Sequence, residues 1–321
     1  MSFKDIKGQP KAIKILESYL ESGKVPGAFL FCGQEGVGKY STAISFAKTL
    51  NCLESRFDAC GACPSCVKIS KKEHPDVHEI CAQDSDDIKI DQIRELKRSI
   101  NLRAYEGKKK VFILNDAHRL NPESSNALLK VLEEPPRDSL IILVTSKPQL
   151  LFKTIISRCQ TIRFYPLNRD YLQDVLVKDY AVSCEQAHYL AYSCEGRLGS
   201  ALKSKENDIL FFKNRVIDGF LFSKDPRAID ELASQDRNEI SRQINILSGW
   251  FRDISLAKIG IPDSEWINAD RKIDIQRLMN QYSHMDVAQI FNSLVKSLSY
   301  LESNINTRLL LSNLRMEIWK E

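Results

Sequence analysis

Residues 28–39 have the sequence AFLFCGQEGVGK, which is the strongest indication of the fold. It opens with five apolar residues, a length and composition typical of a buried strand. Gly33, Gly38 and Lys39 then fit the phosphate-loop pattern G-x-x-x-x-G-K-[ST], with Gly36 as a further glycine of the turn. In such a loop, backbone N–H groups and the N-terminus of the next helix face phosphate, and the lysine supplies a charge for the outer oxygens. We therefore predict an α/β domain with a phosphate-binding loop.

The eighth position of this loop departs from the pattern. Tyr40 stands where a serine or threonine hydroxyl holds Mg²⁺. Ser41 and Thr42 follow it, but a shift of one residue along a helix turns a side chain by about 100°. Because the hydroxyl at position 40 is missing, we expect this site to be poor at hydrolysing Mg-ATP.

The residues that follow a later strand also depart from the pattern of a hydrolysing site. The apolar run Val111–Leu114 is followed by Asn115 and Asp116. A hydrolytic site of this class needs an aspartate for the metal and an adjacent acidic residue to activate water. Asparagine carries no charge for the metal, and Asp116 is one methylene shorter than the expected glutamate. These changes, taken with Tyr40, favour a site that has lost hydrolysis.

Further apolar runs extend the α/β pattern. Leu140–Thr145 and Gln160–Phe164 are predicted as strands, and helical spacing lies between the strands, which indicates a parallel sheet. Strand signals fade from residue 168 onward. We predict an α/β domain over 1–167, a small helical lid over 168–205 and a helical collar over 206–321.

Four cysteines follow the helix after the phosphate loop. Cys52, Cys60, Cys63 and Cys66 have the spacing C-x7-C-x2-C-x2-C, and four thiolates at such spacing are typical of a structural zinc site. Four unmetallated thiols or an iron–sulfur cluster are the alternatives. If Cys52 lies too far away, the fourth ligand could come from nearby residues, namely His74, His78 or Cys81.

The bulk composition excludes several classes. With 46 basic and 42 acidic residues, the net charge of +4 is too mild to indicate nucleic-acid binding by itself. The polar N-terminus does not resemble a signal peptide, and no apolar run reaches the roughly 18 residues of a membrane span. We therefore expect a cytoplasmic protein. Its nine cysteines are then expected to remain reduced.

Two motifs identify a family. NALLKVLEEPP at residues 126–136 is followed about twenty residues later by SRC at 157–159, and together with residues 31–39 and WFRD at 250–253 they resemble the clamp-loader proteins of bacterial DNA polymerase III. The resemblance covers essentially the whole chain. It implies an AAA+ phosphate-loop domain with an inserted zinc module, a helical lid and an all-α collar used for oligomerisation.

Within that family the sequence resembles the delta-prime type more than the ATP-hydrolysing gamma and tau motor subunits. The motor subunits carry an arginine in the second sensor motif, where this chain has Gly199. The altered positions 40, 115 and 116 point the same way. The resemblance thus implies a subunit of the polymerase III holoenzyme with no ATPase activity of its own and uncertain ATP or ADP binding. The alternative is a hydrolysing gamma/tau-type motor.

The resemblance also implies roles for single residues. Arg158 of the SRC motif would be an arginine finger that faces the nucleotide of a neighbouring subunit, or it would pair with a local carboxylate. Thr145 occupies the first sensor region. The expected partners are gamma/tau and delta subunits, and, through the complex, the sliding clamp and primer–template DNA. A monomeric phosphate-loop kinase is a third possibility, which the SRC motif and the helical C-terminal third disfavour.

Overall fold

A computed structural model describes residues 2–82, 87–205, 208–223, 225, 231–301, 303 and 305–319. The chain divides into two compact units. The first contains residues 1–167 together with 197–199, and the second contains residues 168–196 and 200–321. The further division of the second unit into a lid and a collar stays a prediction.

The first unit is built on a parallel sheet, as the sequence predicts, and this sheet has five strands. The strands run in the order β2-β3-β4-β1-β5. Every pairing is parallel, and Cys32 at the end of β1 lies opposite Thr145 at the end of β4. The bounds are β1 Ala28–Cys32, β2 Val77–Ile80, β3 Lys110–Leu114, β4 Ser139–Thr145 and β5 Gln160–Arg163.

Helices cover both faces of this sheet. All residues of β1, β3 and β4 are buried, which explains why the residues between the strand ends are consecutive apolar residues rather than an alternating pattern. The helices of the first unit are α1 Pro10–Ser22, α2 Lys39–Asn51, α3 Pro64–Ser70, α4 Ile90–Ile100, α5 Pro122–Glu133 and α6 Lys153–Ile156.

The sequence analysis missed the edge strand β2. Its four residues, VHEI, have a buried–intermediate–intermediate–buried pattern, which is neither alternation nor an apolar run. It is held by β3, where Val77 pairs with Val111 and Ile80 with Leu114. The strand is therefore defined by its neighbour and not by its own composition.

The second unit is helical. Its longest helix buries one face, on which Ile244, Leu247, Phe251 and Ile254 are all fully buried. The helices are α7 Arg169–Tyr180, α8 Cys184–Ser193, α9 Leu198–Lys205 (whose first two residues belong to the first unit), α10 Ile209–Ile217, α11 Arg237–Lys258, α12 Lys272–Leu278, α13 His284–Leu301 and α14 Thr307–Trp319.

The WFRD motif forms part of the core of the second unit. Trp250 and Phe251 are fully buried. The buried carboxylate of Asp253 accepts hydrogen bonds from the backbone N–H groups of Ile267 (3.0 Å) and Asn268 (2.8 Å). Burial raises the pKa of Asp253, while these donors favour its charged form. The motif thus fixes the loop after α11 to the helix. Among the described residues, no helix is long and apolar enough to cross a membrane.

Candidate functional site

The phosphate loop lies at the carboxyl edge of the sheet, between β1 and α2. Gly36 and Gly38 have φ values of 79° and 94°, in the region that favours glycine. At Gly33, an added Cβ would lie 2.4 Å from the carbonyl oxygen of Phe164. The loop therefore needs glycine at these positions for conformation and for close packing, whether or not it binds phosphate.

Lys39 is turned into its own loop. Its Nζ donates hydrogen bonds to the carbonyl oxygens of Gly33 (2.7 Å) and Gln34 (2.5 Å), and the residue is only 7% exposed. Burial lowers the pKa of Lys39, and the nearby carboxylate of Asp116 partly offsets this effect. The ammonium group is thus satisfied within the loop.

Tyr40 interacts with residues outside the phosphate loop. Its hydroxyl interacts with Glu79 on β2, and Lys72, which bonds Glu79 at 2.6 Å, lies 5.8 Å from the centre of the Tyr40 ring. Burial and the hydrogen bond to Glu79 raise the pKa of Tyr40 to about 12. Tyr40 therefore ties the start of α2 to the region around β2.

The next two residues of α2 also carry hydroxyl groups. The side chain of Thr42 is fully buried, and its Oγ1 donates to the carbonyl oxygen of Gly38 at 2.9 Å. Ser41 is half-buried. The hydroxyl of Thr42 is thus used within its own helix.

The ends of β3 and β4 bring the other predicted residues near the loop. The N–H of Asn115 donates to the carbonyl oxygen of Ile80 at 2.9 Å, which extends the sheet pairing by one residue. Asp116 has a φ of 51° and begins a turn that carries His118. His118 Nδ1 lies 3.2 Å from Thr145 Oγ1. The structure therefore places Lys39, Asp116, His118 and Thr145 at the same edge of the sheet.

Residues 197–199 close against the phosphate loop within the first unit. The N–H of Gly199 donates to the carbonyl oxygen of Gly36 at 2.7 Å. A Cβ added at Gly199 would lie 3.0 Å from both the Cα and the carbonyl oxygen of Gly36. The absence of a side chain at Gly199 therefore allows its backbone to lie close to the backbone of Gly36.

The SRC motif forms a firmly anchored turn after α6. Ile155 is fully buried, and Cys159 packs partly buried against the same apolar cluster. Burial raises the pKa of Cys159 to about 12, so this thiol is a packing group. Ser157 Oγ donates to the carbonyl oxygen of Thr154 at 3.1 Å. Of the three residues, only Arg158 carries a charged group, and this group extends from the turn.

Arg158 is paired with a carboxylate of the same chain. Its Nη2 donates to Glu133 Oε1 at 2.8 Å, and its Nη1 donates to the carbonyl oxygen of Thr154 at 3.0 Å. The side chains of Arg158 and Glu133 are 35% and 50% exposed. This is the local pairing that the sequence analysis held as the alternative to a trans role, although its exposure leaves the arginine accessible.

The four cysteines lie together, as their spacing predicts. Their sulfur atoms are all within 4.8 Å of one another, and Cys52 Sγ is 4.0 Å from Cys63 Sγ. A tetrahedral Zn²⁺ with bonds of about 2.3 Å needs sulfur atoms roughly 3.8 Å apart. The N–H of Cys63 also donates to Cys60 Sγ at 3.3 Å. The four cysteines are therefore a donor set that could hold one metal ion, without the substitutes His74, His78 or Cys81.

The surroundings act differently on the four thiols, and burial raises the pKa of Cys66 to about 12. Burial, the largest single influence, raises the pKa of the Cys52 thiol, but surrounding backbone N–H groups outweigh it and lower that pKa to about 6. Lys108 Nζ bonds the carbonyl oxygen of Cys52. Lys108 belongs to the short basic run at 108–110, so at least one of these lysines has a structural role.

Sequence reasoning missed the residues that contact Arg158, Tyr40 and Thr145. Glu133 and Glu79 stand in no motif for binding Arg158 or Tyr40, and His118 gave no signal of its contact with Thr145. Glu133 does lie within the NALLKVLEEPP stretch, so the motif contained the residue but not its role.

Comparisons with known proteins cover both parts of the chain. The family model described as DNA polymerase III, delta subunit, matches residues 8–168, which is half of the chain. A second model, for the C-terminal part of that subunit, matches residues 213–318. The chain is also 29% identical over 314 residues to DNA polymerase III subunit delta' of Bacillus subtilis, covering 95% of this chain and 94% of that protein.

Other relatives and solved structures are similar to this chain in part. DNA polymerase III subunit tau of Escherichia coli is 35% identical over 215 residues, but this chain spans only 33% of its length. A solved gamma subunit-related protein from Thermotoga maritima is 16% identical and covers 96% of this chain and 99% of its own, with a TM-score of 0.49. The clamp loader delta protein of Bacillus subtilis is 13% identical, covering 96% of this chain and 100% of its own, with a TM-score of 0.39.

Proposed function

Because this chain belongs to the DNA polymerase III delta subunit family, as a clamp-loader subunit of the delta-prime type, we propose that it acts as a non-hydrolysing stator. In this role it presents Arg158 to the nucleotide bound by a neighbouring motor subunit. Its partners are gamma/tau and delta subunits, and the assembled complex acts on the sliding clamp and primer–template DNA.

The observation that carries this proposal is the presentation of Arg158. The turn that bears it is anchored by Ile155 and Cys159, while the guanidinium group itself is partly exposed. A planar guanidinium is suited to stabilise the charge that develops on a transferred phosphoryl group. A residue held on a fixed backbone with an accessible charge can serve a site on another subunit.

The chain's own phosphate loop supports the non-hydrolysing role. Tyr40 interacts with Glu79 where the loop pattern has a metal-binding hydroxyl, and Asn115 lacks a charge for a metal. Gly199 adds a close backbone contact where the motor subunits have an arginine. The loop thereby keeps the fold of a nucleotide site without the groups that activate water.

We further propose that the four-cysteine cluster holds zinc. Four thiolate donors leave no open coordination position, so the ion would be structural. Cys52, Cys60, Cys63 and Cys66 would be its ligands, and the backbone around Cys52 already favours its thiolate. The metal would stabilise the segment between α2 and α3.

The experiment that tests the stator role is Arg158→Ala in the assembled loader. Clamp- and DNA-stimulated hydrolysis at the adjacent motor site should fall substantially, because a trans arginine is worth roughly 10³–10⁵ in rate in related systems. Total activity would fall less, since the other sites keep their own arginines. Arg158→Lys should rescue poorly, because lysine lacks the planar fork of donors.

Arg98→Ala is the matched control, since Arg98 is an exposed arginine on α4 of the same unit. It should leave hydrolysis unchanged. An Arg158→Ala loader that assembles properly and hydrolyses normally next to this subunit would refute the proposed role.

A gamma/tau-type motor is the second candidate, and the intact Gly33–Lys39 loop favours it. The purified wild-type chain should then hydrolyse ATP, and Lys39→Ala should abolish that activity. Turnover that survives Lys39→Ala would be contamination and would not support a motor.

A further inference from the structure

Two hydrogen bonds define the orientation of the Arg158 guanidinium. Glu133 Oε1 accepts from Nη2 at 2.8 Å, and the carbonyl oxygen of Thr154 accepts from Nη1 at 3.0 Å. The donors of a guanidinium lie in one rigid plane, so two acceptors on different elements fix both its position and its rotation. The carbonyl oxygen alone would leave the plane free to turn about a single contact.

From this geometry we infer that Glu133 is a positioning residue for Arg158. It holds the guanidinium in one orientation in the free subunit, from which the phosphate oxygens of a neighbouring nucleotide take it over. This inference rests on the proposed function, in which Arg158 acts in trans. Glu133 contacts neither substrate nor metal in this scheme and acts only through Arg158.

Both partners stand on rigid supports. Glu133 is the last residue of α5 and directly follows Val131 and Leu132, which are buried in the core of the first unit. Arg158 follows α6, whose Ile155 is buried in the same cluster. With both backbones fixed, the contact depends on the two side chains alone. Removing the Glu133 carboxylate should therefore free the arginine without moving its turn.

The pair is weak enough to be released. Both side chains are substantially exposed, and ion pairs of this kind contribute little to folding stability. A nucleotide carries several negative charges and therefore outcompetes a single carboxylate for the guanidinium. Ordering a flexible side chain in advance lowers the entropy that must be lost when it engages its target. Glu133 thus orients the Arg158 guanidinium in advance, and it binds this group weakly enough for a nucleotide to displace it.

The test is a double-mutant cycle in the loader assembled with tau-type and delta subunits, the clamp and primed DNA. We expect Glu133→Ala to lower the Arg158-dependent hydrolysis rate about 3- to 5-fold, the size that an exposed ion pair supports. In an Arg158→Ala background the same change should have no effect, because the two residues act as one unit. The apparent KM for ATP should stay constant.

Two further variants sharpen the result. Glu133→Gln should fall between wild type and Glu133→Ala, since an amide oxygen still accepts a hydrogen bond but carries no charge. Glu134→Ala is the matched control, because Glu134 is the adjacent exposed acid and makes no hydrogen bond to Arg158 in the described structure. It should match wild type. If Glu133→Ala does not assemble, Glu133→Gln carries the same cycle.

The outcomes separate the inference from the function on which it rests. If Arg158→Ala itself has no effect, the trans role fails and the inference fails with it. If Arg158→Ala lowers the rate but Glu133→Ala is silent, raises the rate, or lowers it equally in both backgrounds, then Glu133 is not a positioning residue and the stator role stands.

Discussion

The backbone N–H of Gly199 donates a 2.7 Å hydrogen bond to the carbonyl oxygen of Gly36. The contact joins two glycines that are far apart in the sequence. It leaves so little room that a Cβ at residue 199 would lie 3.0 Å from the Cα and the oxygen of Gly36. Backbone atoms cannot move aside as a side chain can. Residue 199 must therefore be glycine because of packing, and not because of its own φ angle.

A pair of glycine-to-alanine variants tests this requirement. Gly199→Ala should lower the thermal unfolding midpoint, because the overpacked Cβ costs about 1–3 kcal/mol and exceeds the gain in helix propensity. Gly249 lies inside α11, and its added Cβ would meet only Ile267 Cδ1 at 3.4 Å. Gly249→Ala should therefore raise stability by about 0.5–1 kcal/mol. Equal effects of the two variants would show that the Gly36 contact places no constraint on residue 199.

The metal proposal gives a second prediction. The wild-type chain should carry one zinc, measured by elemental analysis, and Cys60→Ser should lose most of it because a tetrahedral site needs all four thiolates. Zinc loss should also destabilise the segment around α3, since metal binding at such sites is coupled to folding. Cys81→Ser is the control, because Cys81 is an exposed cysteine outside the cluster. Purified wild-type protein without zinc, expressed with adequate metal, would contradict the assignment.

Restoring the loop hydroxyl should not restore hydrolysis. Tyr40→Ser supplies the side chain that the phosphate-loop pattern lacks, but Asn115 still offers the metal no charge. We expect ATP turnover by the isolated variant to equal that of the wild type, within the background of a Lys39→Ala preparation. The variant should also lose the contact between Tyr40 and Glu79. Turnover that appears with Tyr40→Ser and disappears with Lys39→Ala would mean that position 40 alone disables the site.

A half-buried histidine should make stability depend on pH. His78 stacks on Phe112 with ring centroids 4.8 Å apart, its Nε2 is buried without a hydrogen-bond partner in the described structure, and burial lowers its pKa from 6.5. As the pH falls below about 6.5, the unfolded chain binds a proton that the folded chain resists. Stability from this residue is thus fully present above that pH and is lost below it.

The variant that tests this dependence is His78→Phe, which keeps a ring against Phe112 and cannot be protonated. Its thermal unfolding midpoint should fall less steeply than that of wild type between about pH 7 and pH 5. Both proteins keep the cysteine cluster, so the difference between their slopes removes any effect of zinc release. Parallel slopes would show that His78 is protonated equally well in the folded and unfolded chains.

The fold was predictable where a strand carries its own signal. β1, β3 and β4 are largely apolar runs found within about a residue of their predicted bounds, because parallel strands covered on both faces must be mostly apolar. β5 lies within a residue of its predicted bounds as well, although Ile162 is its only buried residue. β2 was missed because its two half-buried residues break the pattern and its place depends on pairing with β3. Local composition cannot report a partner strand that lies more than 30 residues away.

The candidate site shows the same limit. Spacing alone brought the four cysteines together, because a short loop leaves few other arrangements. The Glu133–Arg158 pair depends on how α5 and α6 pack, and the Gly36–Gly199 contact depends on where residues 197–199 settle. Tyr40 was recognised as a departure from the pattern, but its contact with Glu79 required the position of β2.

The internal hydrogen bonds of Lys39 have an evolutionary consequence. The hydrogen bonds of Lys39 to two loop carbonyl oxygens support the turn, and the glycines are needed for the turn itself. Selection for folding can then retain the glycines and the lysine in a lineage that no longer selects for turnover. In a genome survey, the loop motif therefore identifies a strand–turn–helix connection. Whether the protein is assigned as an ATPase must be judged from the residues that follow the motif.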